Sequence, residues 1–197
     1  MIGYTAPRYL VMGGTTSLYS AAQTQDSLAL GITKSRFLKE QYGFGISSSV
    51  VIVNNTDMVL HLGGKGHFSG RFQYDPPTVI EAKRTGVFLH CHRDSALAGS
   101  VGVVEYSIGA GAASMMFYVG WSTPYSGHNR IGIQFGTNKP ADMTNMISIC
   151  EKSDGEYKAN KQNPNTSQKF EANAYIYENK ASVIIVVTIK QLVNCGV

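Results

Sequence analysis

Short β-branched runs separated by turn residues are what most restrict this chain. SSVVIVNNT at 48–56 is a β-branched run closed by an Asn-Asn turn, and TGVFLHCH, GSVGVVEYSI, SMMFYVGW and NRIGIQF follow with glycine-rich breaks between them. The end, EANAYIYENKASVIIVVTIKQ, reads as two strands around a Glu-Asn-Lys turn. Roughly ten strands without long alternating helices point to an all-β chain, an antiparallel sandwich or barrel. The longest apolar run, 181–189, is too short to span a bilayer as a helix. With 197 residues there is enough chain for one core and too little for two, so residues 1–197 are read as a single domain.

Two segments depart from the strand pattern. Residues 15–40 start at a Thr cap and carry Leu18, Ala21, Ala22, Gln25 and Leu28 at near-helical spacing, with Gly31 as a possible stop. Residues 140–152, PADMTNMISICEK, place Met143, Met146, Ile147 and Cys150 at i, i+3, i+4 and i+7 behind a proline, which predicts a short second helix on the sheets. The polar stretch 151–169 reads as a solvated loop.

Charged residues are only 15% of the chain, and the net charge of +4 is scattered, which gives no footprint for nucleic acid. Three cysteines, Cys91, Cys150 and Cys195, are an odd number and define no disulfide framework. Sequons stand at Asn54 and Asn165. His90 and His92 alternate on a strand and form the best metal pair, with His61, His67 or His128 as a third ligand. No Cys-x-x-Cys or His-Glu-x-x-His spacing supports them, so ordinary strand histidines are preferred and no metal or cofactor is expected. Neither a nucleophile motif nor a phosphate-cradling glycine turn is present, and the chain is read as no enzyme.

WSTPYSGHN at 121–129 holds the only tryptophan beside a proline, a tyrosine and a histidine. Rings at a strand-to-loop edge either pack back onto the body or meet a ligand or membrane headgroups, and alternation with Val119 favours the core for Trp121.

These segments resemble the actinoporins and actinoporin-like pore-forming cytolysins. GSVGVVEYSI is similar to that family's Gly-x-Val-Gly-Val-x-x-Tyr strand, WSTPY to its aromatic-Ser-x-Pro-Tyr segment, SSVVIVNNT to its first sandwich strand, and Ala141-Asp142 to the start of its second helix. The resemblance runs from about residue 36 to 193. It implies a β-sandwich flanked by two helices, with residues 1–40 a segment that inserts in membranes through Leu18, Ala21, Ala22 and Leu28, and 41–197 the body. It further implies a lipid-headgroup site of Ser69, Val101, Trp121, Ser122, Pro124, Tyr125 and His128. The partners implied are target membrane lipids of phosphocholine or sphingomyelin type, or a glycolipid, and further copies of the chain assembling into a cation-conducting pore. A secreted protein that then reaches a target-cell membrane is the matching location, although residues 1–14 show no secretory signal. The rival reading is a lectin-like or receptor-binding sandwich without a pore.

Overall fold

The computed structural model describes residues 16–92, 99–109, 111, 114–136, 156–162, 168–178 and 182–192, with side chains of 16–26 and 156–162 outside that description. Among the described residues, helix α1 (Thr16–Tyr42) precedes eleven strands: β1 (Ser47–Asn55), β2 (Leu60–Ser69), β3 (Arg71–Tyr74), β4 (Val79–Ile80), β5 (Thr85–Cys91), β6 (Ser100–Ile108), β7 (Met115–Thr123), β8 (Arg130–Gly136), β9 (Glu156–Gln162), β10 (Lys169–Glu178) and β11 (Ser182–Leu192). They form a six-stranded sheet, β3-β5-β1-β11-β10-β9, facing a five-stranded one, β4-β2-β6-β7-β8. The expected sandwich is therefore present. One pair, β1 with β11, is parallel in an otherwise antiparallel arrangement.

The main core lies between the sheets, where Val50, Ile52, Phe88, Val104, Phe117 and Ile185 meet Trp121. A second cluster lies between the six-stranded sheet and α1, joining Ile32 and Leu38 of the helix to Val51, Val53, Leu89 and Val186. This explains why β1 and β11 read as continuous rather than alternating apolar runs: their middles are covered on both faces. Burial of Ile32 and Leu38 contributes about 1.5–3 kcal/mol each to holding the helix down.

Two expectations change. Gly31 does not stop the helix; it lies inside α1, and a Cβ there would come within 2.6 Å of Val51 Cγ1, so glycine permits close helix-to-sheet approach. The stop is Gly43 (φ 87°), whose N–H donates to Lys39 O at 2.9 Å as a left-handed cap. The stretch read as a solvated loop contains β9, paired with β10 through backbone bonds that polar side chains do not prevent. β2 carries Gly63, Gly64 and Gly66, which hide its strand character in the sequence although it pairs with β6 along most of its length. The expected helix at 140–152 lies outside the described residues.

Candidate functional site

At one end of the sandwich three loops are drawn together by close backbone approaches. A Cβ on Gly45 would fall 2.1 Å from His92 Nε2, one on Gly70 would fall 2.3 Å from Cys91 O, and one on Gly99 would fall 2.3 Å from Thr123 O. Gly45 and Gly70 also have positive φ. The α1–β1 turn, the β2–β3 turn and the start of β6 thus sit against the ends of β5 and β7. Phe44 in the α1–β1 turn, Phe68 at the end of β2 and Tyr125 in the β7–β8 loop stand at this end and stay in solvent, Phe44 fully and the others 52% and 61% exposed.

Beside them, the register places Ser69 opposite Val101, Val101 opposite Ser122, and Ser122 opposite Arg130. Three expected site residues from three strands therefore form one cross-strand row, all half-buried on the outer face of the five-stranded sheet. Ser69 Oγ donates to Gly99 O at 2.9 Å, which commits its proton and leaves it an acceptor. Pro124 is half-buried, and Tyr125 and His128 are exposed in the β7–β8 loop. Trp121 is not at this surface. It points inward and is fully buried, its ring 5.7 Å from Phe88 and 5.3 Å from His90, because strand alternation sends 121 to the face opposite 122. The remaining site expectation, the inserting helix, meets the fold differently: Leu28 packs on the cluster beneath α1, while the side chains of Leu18, Ala21 and Ala22 lie outside the described residues.

Beneath the row runs a buried polar chain. His90 Nδ1 lies 2.8 Å from Ser100 Oγ, which donates to Ser48 Oγ at 2.8 Å, and Ser48 Oγ lies 2.8 Å from Thr123 Oγ1; Trp121 Nε1 donates to Ser100 Oγ at 3.3 Å. Burial, with a smaller contribution from His67, pushes the His90 imidazole down to about 3, so it is neutral. Its Nε2 is buried without a hydrogen-bond partner among the described residues. The candidate metal pair His90 and His92 is not brought together: β5 ends at Cys91, and His92 turns to Gly45 and to Tyr42, whose ring lies 6.3 Å away. Among the described residues no group of three His, Cys, Asp or Glu side chains is arranged to hold a metal ion. On the outer face, burial first and then neighbouring Glu105 raise the Tyr118 phenol above its usual range. Asn54, the first sequon, is buried, and its side chain serves the β1 turn: Nδ2 donates to Met58 O, Ile80 O and Glu81 O, and Oδ1 accepts from Thr56. A glycan there is incompatible with this fold.

The exposed Phe44 had no counterpart in the sequence reading. Its signal was a ring between two glycines, Gly43-Phe44-Gly45, which cannot be buried by its own neighbours.

Comparison with known proteins places the chain. A family model described as Nakanori-like protein matches residues 17–179. The chain belongs to the Nakanori-like protein family. A crystal structure described as the lipid binding protein Nakanori superposes with a TM-score of 0.68, at 17% identity, over 87% of this chain and 84% of that one, a likeness of fold. The 23 kDa jasmonate-induced protein of Hordeum vulgare is 34% identical over 97 residues, which are 48% of this chain and 46% of that relative, so the match spans about half of each. The actinoporin-like assignment is thereby corrected: the matching family, over most of the chain, is another one. The motifs behind it have structural causes here. Gly99 clears Thr123, Gly102 clears Trp121 Cζ2 (2.6 Å to a Cβ), and Tyr106 donates from its hydroxyl to Pro77 O at 2.9 Å. Any sandwich packed this way asks for those residues.

Proposed function

We propose that this Nakanori-like protein is a peripheral lipid-binding module that docks on membranes with the end of the sandwich carrying Phe44, Phe68 and Tyr125. The observation that carries the reading is that these three exposed rings stand at the end of the sandwich that carries the Ser69–Val101–Ser122 row. Aromatic rings held at a surface next to hydroxyl groups suit the headgroup layer, where one end of the contact is apolar and the other wet. The fold neighbour described as lipid binding supports the same reading. Within it, phosphocholine-bearing lipids are the headgroup class: Tyr125 offers a ring face to the quaternary ammonium and Ser122 a hydroxyl to the phosphate. No catalysis is ascribed to the site.

Pore formation is the weaker reading, because α1 would have to leave the cluster of Ile32, Leu38, Val51 and Leu89, and break the Arg36–Glu178 ion pair, before entering a bilayer. Sedimentation with sphingomyelin or phosphatidylcholine vesicles, with and without sterol, tests docking, and dye release run in parallel tests the pore. Binding without release is the expected outcome. Absence of binding to any of these vesicles rejects the lipid reading, and release would restore the pore.

A further inference from the structure

On the opposite face of the six-stranded sheet, toward α1, the same end of the molecule contains a hollow. In register, Ser47 lies opposite Ser182 and Ser49 opposite Ile184, whereas the next pair on that face is Val51 opposite Val186. Serines thus replace branched side chains where the last turns of the helix cross the sheet, and a pocket of about 220 Å³ remains, walled by Arg36, Lys39 and Glu178. Ser47 and Ser49 are only 1% and 2% exposed. Their hydroxyls are nevertheless poorly occupied: Ser47 Oγ donates to Ser182 Oγ at 3.2 Å, and Ser49 Oγ reaches Phe88 O only at 3.4 Å. Buried hydroxyls lining a cavity with bonding capacity left over are a reason to look for a ligand.

We propose that this pocket binds a single neutral, hydroxyl-rich ring, of the size and chemistry of one hexose. The charge balance argues for a neutral guest, since Arg36 and Lys39 are matched by Glu178 and Glu40 around the rim. Arg36 donates from Nε to Glu178 Oε1 at 3.0 Å, so the carboxylate is held in a fixed orientation, able to accept from vicinal hydroxyls as a flexible surface carboxylate is not. Lys39 Nζ is likewise fixed, donating to Gly45 O at 2.8 Å. Ile184 supplies apolar floor for the C–H face of a sugar ring. One hexose fills such a volume and a disaccharide exceeds it. The site is separate from the lipid-docking residues, so it stands or falls without them.

The test is a titration of the full chain with methyl glucoside, methyl galactoside, methyl mannoside and inorganic phosphate, followed by amide resonances. One hexoside should move the Ser47, Ser49 and Ser182 amides with a Kd on the order of 1 mM. Glu178→Gln, a rim change that leaves the core intact, should weaken binding at least about tenfold, and Ser182→Leu, which fills the hollow, should abolish it. The proposal is overturned if no hexoside moves these amides, if phosphate moves them and the hexosides do not, or if both variants bind as the parent does. Vesicles carrying a hexosylceramide, with free methyl hexoside as competitor, then separate a glycolipid source from a free sugar: competition assigns the glycolipid headgroup to this pocket, and undiminished binding to such vesicles leaves the free sugar as its guest.

Discussion

His90 Nδ1 and Ser100 Oγ, 2.8 Å apart, join the two sheets of the sandwich at the end where the exposed rings gather. His90 stands on β5 of one sheet and Ser100 on β6 of the other, and the bond lies among Trp121, Phe72 and Phe88. A neutral imidazole is required there, because burial holds its protonation down to about pH 3. The unfolded chain takes up a proton near the ordinary 6.5, so between those values the unfolded state binds more protons than the folded one. Stability is therefore complete above about pH 6.5 and declines on acidification, by at most about 1.4 kcal/mol per pH unit from this group. Urea midpoints at pH 7 and pH 5 measure the slope, and His90→Gln should flatten it; an equally steep slope in that variant would place the acid sensitivity elsewhere.

Trp121 is the only tryptophan, and it is buried. Its emission should be blue-shifted in the folded protein and unchanged when vesicles bind. Trp121→Ala should cost about 3–5 kcal/mol by opening a cavity next to Phe88 and His90. Gly102→Ala, whose new Cβ would meet the same ring at 2.6 Å, should cost about 1–3 kcal/mol through overpacking. A vesicle-dependent shift in tryptophan emission would contradict the docking geometry described here.

Phe44, Phe68 and Tyr125 have no core to support, so their alanine variants should unfold at the parent's midpoint. Each should weaken vesicle binding by about 1 kcal/mol, roughly fivefold, and the triple variant should abolish sedimentation with vesicles. Equal losses from Leu30 or Val79, exposed apolar residues away from that end of the sandwich, would show that the contact is unspecific.

Asn54→Ala removes a side chain that ties β1 to Met58, Ile80 and Glu81. Three carbonyls lose a donor at once, with Met58 O keeping Thr56 Oγ1 at 3.0 Å, and the expected cost is about 3 kcal/mol. Chemical denaturation of the variant checks this; a change below about 0.5 kcal/mol would mean that water replaces the amide at no penalty.

Much of the strand plan was legible locally. β-branched runs, glycine breaks and the Asn-Asn turn marked β1, β5, β6, β7, β8, β10 and β11, since strand formation there agrees with side-chain propensity. Where glycine or polar residues occupy a strand, as in β2 and β9, only pairing with a neighbouring strand creates it, and pairing is invisible to a local reading. The motifs taken for family signatures were local too, and their glycines answer to Trp121 and Thr123 rather than to a pore.

The sequence by itself determined that the chain is strand-rich, a sandwich or barrel with an N-terminal helix, because hydrophobic period and turn residues act over a few positions. Alternation with Val119 already favoured the core for Trp121, and only the tertiary structure decided that Tyr125, four residues on, is surface. It likewise decided that Gly31 is a contact and not a stop, and that Ser69, Val101 and Ser122 share a row. Each of those outcomes depends on register and on which face another element covers, and both are set by residues distant in the chain.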